Sequence, residues 1–268
     1  GDVTLSAEFD GGRLDAPFEM TAGEHMLSMT FAVANPRLWS PNQPDLYFGR
    51  VVLRSDGAED AVCTYFGIRE VGVARFLDRS YFWITLNGKP IYLNGTLDQA
   101  YNPKGHFTYP SDEDMRMEAW RLKRLGLNMV RIHIKPEEPR KLYWMDRLGI
   151  LVMQDMPCFW GEPGEVARAA YESEWPDVLN RDLNHPSIFA WVMFNESWGL
   201  LTGLDGHKEY HADTQQWVRD VYRRAKTADP TRIVEDNSPC RYDHVETDIN
   251  TWHFYINGYR QVRDHIRE

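Results

Sequence analysis

The sequence predicts a β-sandwich followed by an α/β barrel, and three observations carry that prediction. Short alternating apolar runs separated by turn formers fill residues 1–85. From residue 86 onward, strand-length apolar runs alternate with helically spaced ones. Polar side chains then stand at the carboxyl ends of most of these later strands, where parallel barrels gather their active sites.

In the first part, residues 3–9, 25–33, 46–54 and 61–68 read as strands, with the two-residue period of a half-buried sheet. Asp10-Gly11-Gly12, Asn35-Pro36, Pro41-Asn42-Gln43-Pro44 and Asp56-Gly57 punctuate them as turns. Short strands at this spacing argue an immunoglobulin-like sandwich. Asn87-Gly88 sits between two apolar runs and signals a two-residue hairpin, because both central positions of a type I′ turn need positive φ.

In the second part, residues 91–97, 128–134, 150–155, 188–195, 232–236 and 248–254 read as six strands. Helical spacing covers residues 112–125, 136–148, 166–183, 207–228 and 258–268. Gly126, Gly149 and Pro230 stop three of these helices, as residues that favour αL or cannot continue a helix do. Repeated βα units predict a parallel sheet. No Gly-x-Gly-x-x-Gly follows the first strand, which disfavours a dinucleotide-binding sheet and leaves a (β/α)8-type barrel. A full barrel needs about 250 residues, more than residues 86–268 supply, so the barrel is expected to be incomplete with about six strands.

Bulk properties narrow the function classes. The formal net charge is -10 and no basic stripe is present, which excludes nucleic acid as the partner. No apolar run approaches the ~20 residues that span a bilayer, so no membrane role is expected. The chain opens inside what reads as a strand, with no signal-peptide pattern, and its compartment is left open. Cys63, Cys158 and Cys240 are odd in number and far apart, so neither a disulfide framework nor a zinc site is indicated. Ten Trp and thirteen Tyr hint at sugar binding, since aromatic faces stack on the apolar faces of sugar rings; filling a core is the plainer use.

Ile188-Phe-Ala-Trp-Val-Met-Phe-Asn-Glu-Ser-Trp-Gly199 organises the rest. An apolar strand ends abruptly in Asn195-Glu196, and Trp198 follows. A carboxylate at the tip of a buried strand is costly unless something there needs it. The competing reading makes Glu196 a helix cap or one half of a surface ion pair.

Several motifs, in order along the chain, resemble glycoside hydrolase family 2, the group of β-galactosidases, β-glucuronidases and β-mannosidases. They are the segment from Asn35-Pro-Arg-Leu-Trp-Ser-Pro to Tyr47, Phe66-Gly-Ile-Arg-Glu70, and Leu86-Asn-Gly-Lys-Pro-Ile-Tyr-Leu-Asn-Gly95. Asn128-Met-Val-Arg-Ile-His133, Asp146-Arg-Leu-Gly-Ile-Leu-Val152 and Asn184-His-Pro-Ser-Ile-Phe-Ala-Trp-Val-Met-Phe-Asn-Glu-Ser197 follow. The resemblance implies a sandwich over residues 1–85, the first part of a barrel over 86–268, and retaining hydrolysis of a terminal β-glycosidic bond. Glu196 would be the general acid/base, and Asn195 would bond the sugar 2-hydroxyl. Arg131 and Tyr255 would lie beside the nucleophile carboxylate. Asp98, His133, Asp155, Trp160, Trp198 and His253 are candidates on the pocket rim for hydroxyl contacts or ring stacking.

That chemistry needs two carboxyl groups about 5–5.5 Å apart, the acid with its pKa raised toward working pH. In the resembled family the nucleophile is a Glu on the seventh barrel strand, beyond the six counted here. Glu235 reads more readily as a cap or pocket wall than as a substitute. The expectation is a piece of a longer hydrolase, or a chain that self-associates to cover open sheet edges. The alternative is a non-catalytic carbohydrate-binding module. No cofactor is expected and no metal: His207 and His211 have i,i+4 spacing but lack a third ligand. Asn94-Gly-Thr and Asn195-Glu-Ser match glycosylation acceptors but fall on expected buried strand ends.

Overall fold

The computed structural model describes residues 2–10, 12–75, 81–204, 206–239, 242 and 244–267. Gly11, Cys240 and Glu268, which enter the sequence reading, lie outside them.

The amino-terminal part is an antiparallel sheet of β1 (Asp2–Phe9), β2 (Gly12–Glu19), β3 (Tyr47–Ser55) and β4 (Ala58–Phe66), in the order β2-β1-β3-β4. Strand β2 is not among the strands expected from the sequence, although Leu14, Ala16 and Phe18 alternate there. Pro17 sits on this strand, which is an edge, as a residue without an N–H must. The strand expected at residues 25–33 does not form. That segment instead lays Phe31 against Phe9 and Phe66, so its apolar period reflects packing on the sheet rather than pairing within it.

A small sheet of β5 (Val71–Ala74), β6 (Trp83–Leu86) and β7 (Lys89–Pro90) follows. Its hairpin turns at Asn87 and Gly88 with φ of 53° and 71°, as the Asn-Gly pair predicts. The boundary expected at residue 85 falls within this hairpin.

The rest is five parallel strands, in the order β12-β11-β10-β9-β8: β8 (Gly95–Asp98), β9 (Met129–Ile132), β10 (Leu151–Asp155), β11 (Ile188–Asn195) and β12 (Ile233–Ser238). Helices α1 (Asp112–Arg124), α2 (Pro139–Leu148), α3 (Glu165–Asp182) and α4 (Ala212–Ala228) connect them, and α5 (Tyr259–Arg267) ends the chain. Ser111 caps α1 by accepting from Asp114 N, and Gly149 closes α2 with φ 72°. The sixth strand expected at residues 248–254 is not a strand. Asp248 is drawn back to β12 instead, its carboxylate accepting from Val234 N, Lys226 and Tyr222, and the segment then crosses the carboxyl ends of the sheet. Helix α4 begins at Ala212, so His207 and His211 do not share a helical face.

The period of two along each strand sorts side chains into two cores. Val130, Ile132, Val152 and Val234 pack under the helices. Met129, Leu151, Met153, Val192 and Ile233 pack on the other face with Trp39 and Leu46 from the amino-terminal part. Continuing that second face upward, two residues at a time, reaches Arg131, Asp155 and Glu235. One face is therefore apolar at its base and charged at its carboxyl end.

The base is where the amino-terminal part docks. Asp146 Oδ1 accepts from Ser187 N at 2.9 Å, and its Oδ2 accepts from Tyr65 at 2.7 Å and contacts His185 Nδ1 at 2.6 Å. Trp39 Nε1 donates to Asp146 O at 2.8 Å. The Asn184-His185-Pro186-Ser187 motif thus serves the joint between the two parts, at the end of the strands opposite Glu196.

Candidate active site

Glu196 stands one residue beyond β11 with its side chain 8% exposed. It and Ser197 take left-handed φ of 50° and 59°. Two such residues in succession cost roughly 1–3 kcal/mol each and persist only where the surroundings impose them. The tip of β12 does so: Glu196 N donates to Ser238 O at 2.9 Å, and Ser197 N donates to Asn237 Oδ1 at 3.0 Å. Gly199 completes the turn with φ 73°, where a Cβ would lie 2.6 Å from Phe159 O. Ile134, a β-branched residue at φ 71°, marks a second strained point just past β9.

Arg131 joins most of the expected residues. It is 11% exposed at its side chain and grips Asp155 with Nε and Nη2, each at 2.9 Å. The same Nη2 donates to Asn195 Oδ1 at 2.9 Å, and Nη1 reaches Ser238 Oγ at 3.0 Å and His253 Nε2 at 2.8 Å. Burial works against its charge, but Asp155 outweighs burial and holds the guanidinium above its ordinary range. His133 Nδ1 contacts Asp155 Oδ2 at 2.7 Å. A guanidinium only donates, so His253 Nε2 accepts and its Nδ1 carries the proton. That N–H donates to Glu196 Oε1 at 2.6 Å, and the Tyr255 hydroxyl donates to the same oxygen.

These donors decide the charge of Glu196. Burial raises its pKa, but the bonds from His253 and Tyr255 outweigh burial and hold it below the usual carboxylate range. The raised value expected of a general acid is therefore not what this arrangement produces; two donors on one oxygen favour the anion. Glu235 is the reverse case. Buried in β12, it is pushed up to about 7 by desolvation, against the pull of Thr251 and Arg131.

Two lobes meet at Trp198. One, of about 440 Å³, is lined by Arg131, His133, Glu196, Trp198, His253 and Tyr255. The other, of about 460 Å³, is lined by Tyr101, Phe107, Lys135, Cys158, Trp160 and Trp198 among others. Trp160 is 73% exposed and stacks on Trp198 at 4.1 Å between centroids, so an open aromatic platform joins the lobes. Asn195 Nδ2 is buried with no partner among the described residues. Leaving such a donor unsatisfied costs about 1–3 kcal/mol, which a ligand hydroxyl would offset.

Asp98 is the expected residue that does not join the cluster. It is held by Lys141 at 2.5 Å and by Ala100 N at 2.8 Å, and lines neither lobe. Ser238 and Thr251 were missed, and nothing in a lone hydroxyl at a strand end or in a crossing segment would have marked them. Among the described residues no group of three His, Cys, Asp or Glu side chains is placed to hold a metal ion. Cys158 is pushed up to about 12 by burial, which makes it a poor nucleophile at neutral pH.

Residues 79–265 match the family described as "Glycosyl hydrolases family 2, TIM barrel domain", and residues 10–69 match "Glycosyl hydrolases family 2". The chain belongs to glycosyl hydrolase family 2. A beta-galactosidase of Enterobacter cloacae is 27% identical to it over 220 residues, covering 78% of this chain and 19% of that protein. Among solved structures, a Bacteroides uniformis beta-glucuronidase superposes with TM-score 0.81 at 23% identity, over 99% of this chain and 34% of the other. A beta-galacturonidase from Eisenbergiella tayi bound to galacturonate superposes with TM-score 0.70 at 24% identity, over 90% of this chain and 41% of the other. The chain thus spans about a fifth of the length of the curated relatives it matches.

Proposed function

We propose that these residues form part of the active site of a retaining β-glycosidase, with Glu196 as general acid/base. The observation that carries this reading is a nearly buried carboxylate at a strained strand tip, lining a cleft with an indole platform and directly following a residue whose buried amide donor has no partner among the described residues. Asn195 Nδ2 donates to the sugar hydroxyl beside the anomeric carbon. Trp198 and Trp160 stack on the sugar or on the group it leaves behind. The anionic resting state of Glu196 suits the second half of the reaction, in which it removes a proton from the attacking water. Its acid role in the first half requires the leaving-group oxygen to displace the Tyr255 or His253 bond as substrate enters. Galactosides, glucuronides and galacturonides are the substrates to test first, since proteins similar to this chain carry those names.

The test is Glu196→Gln in the full-length protein that contains these residues, assayed on an aryl β-glycoside. We expect kcat to fall about 10²–10⁴-fold, the usual loss on removing a general acid/base, with the glycoside still bound. Unchanged turnover would overturn the assignment. One observation favours a second reading, a non-catalytic sugar-binding site: Glu196 is the one carboxylate among the described residues lining its lobe. On that reading the wild-type protein binds the sugar, hydrolyses nothing, and loses little affinity in Glu196→Gln.

A further inference from the structure

Glu235 is buried in β12, lines neither lobe, and has no part in the mechanism just described. Its side chain nevertheless begins an unbroken run of hydrogen bonds that ends on Glu196. Glu235 Oε1 bonds the Thr251 hydroxyl, and Thr251 Oγ1 lies 3.0 Å from Ser238 Oγ. Ser238 Oγ lies 2.9 Å from His253 Nε2, and His253 Nδ1 lies 2.6 Å from Glu196 Oε1. The intermediates are two hydroxyls and an imidazole, each able to accept on one side while donating on the other. Glu235 Oε2 has no partner among the described residues, so nothing else there anchors this carboxyl by a hydrogen bond.

We propose that Glu235 is a positioning residue for Glu196, and that its protonation sets the direction in which the Thr251–Ser238–His253 chain donates. With Glu235 ionised, Thr251 donates to the carboxylate and Ser238 donates to Thr251, which leaves Arg131 as the donor to His253 Nε2. With Glu235 protonated, its O–H donates to Thr251, Thr251 donates to Ser238, and Ser238 joins Arg131 in donating to Nε2. The second arrangement withdraws electron density from the imidazole and strengthens its Nδ1–H bond to Glu196. Hydroxyl rotation and the one proton on Glu235 account for the whole change, and His253 keeps its tautomer throughout.

The groups that bias Glu235 come from three directions. Arg131 of β9 and His244 beyond β12 favour its anion, and Asp155 of β10 opposes it. From β11 its register partner is Val192, which does not titrate. Desolvation places its ionisation at about 7, so both directions of the chain are populated near neutral pH. At the other end His253 faces Arg131 and Glu196, and Glu196 faces Tyr255 and His133 as well.

The effect on rate rests on the acid/base reading of Glu196, but the chain can be read without it. In the full-length protein, the ¹⁵N resonances of the His253 ring are followed against pH without substrate. We expect an inflection near the ionisation of Glu235 in the wild type, and its loss in both Glu235→Gln and Thr251→Val. Thr251→Val leaves Glu235 titrating but cuts the chain, and it stands alone as the test if Glu235→Gln does not fold. An inflection that persists in Thr251→Val, or is absent from the wild type, overturns the proposal. In kcat/KM the same variants lose an inflection in the pH profile, whereas a purely structural role would lower the rate by one factor at every pH. Failure of the acid/base reading shows separately, as turnover retained in Glu196→Gln with the inflection from Glu235 intact in the ring resonances.

Discussion

Two buried polar networks sit at opposite ends of the same strands, and they are finished differently. At the base, both oxygens of Asp146 are engaged, by Ser187 N on one side and by Tyr65 and His185 on the other. Nearby, Asp229 accepts from Trp191, Arg232 and Thr231. Among the described residues, the buried side-chain atom of the Asn184–Ser187 motif left without a partner is the Ser187 hydroxyl. At the carboxyl end, Arg131 is equally engaged, yet Asn195 Nδ2 and Glu235 Oε2 are left over, and the backbone is strained at Ile134, Glu196 and Ser197. A satisfied network fixes one geometry and suits a joint between two parts of a fold. A network with a donor to spare, beside an open cleft, suits a ligand.

Breaking either hub tests the contrast, and the largest effects belong there. Arg131→Ala leaves Asp155 as an uncompensated buried charge, and we expect a loss of about 3–5 kcal/mol in chemical denaturation together with lost activity. Asp146→Ala strands Tyr65, His185 and Ser187 N at the base and should cost a similar amount, but well-folded enzyme at low temperature should keep its kcat. Equal loss of kcat in both variants at a temperature where both are folded would erase the functional distinction between the two ends.

Glu235 sharpens the comparison through pH. Its folded pKa, about 7, lies above the ordinary 4.5. Between those values the folded chain keeps a proton that the unfolded chain has released, so stability falls as pH rises through the window and levels off above it. Glu235→Gln removes that dependence. We expect it to match wild type near pH 4 and to exceed it by up to about 3 kcal/mol near pH 8. A variant no more stable at the higher pH would show that the charge of Glu235 is already compensated.

Smaller effects follow at the edges of each network. Gly149→Ala places a Cβ 2.5 Å from Pro41 O at a residue with φ 72°. We expect it to cost about 1–3 kcal/mol at the base, seen as a lower Tm with KM unchanged. Trp160→Ala should change stability by less than about 0.5 kcal/mol, since the side chain is largely exposed. It should raise KM for aryl glycosides, because it removes half of the stacked platform. A drop in Tm with KM unmoved would reassign Trp160 to packing.

The sequence by itself determined the parts whose cause is local. Strand and helix positions from β8 to β12 follow from apolar period and from caps such as Ser111 and Gly149. The Asn87-Gly88 turn follows from its need for positive φ. Glu196, Asn195, Asp155 and His133 were legible because a polar side chain at the tip of an apolar strand is conspicuous, whereas Arg131 was marked by the family resemblance and His253 by an expected strand that does not form. Tertiary structure decided what depends on neighbours far along the chain. It turned residues 25–33 into a packing segment, and it drew Asp248 back onto β12 in place of a sixth strand. It gave Asp98 to Lys141, made Glu196 an anion by setting His253 and Tyr255 on one oxygen, and linked that oxygen to Glu235 through Thr251 and Ser238. A run of residues specifies which atoms can donate or accept. Only the fold specifies which of them meet, and how far water is kept from them when they do.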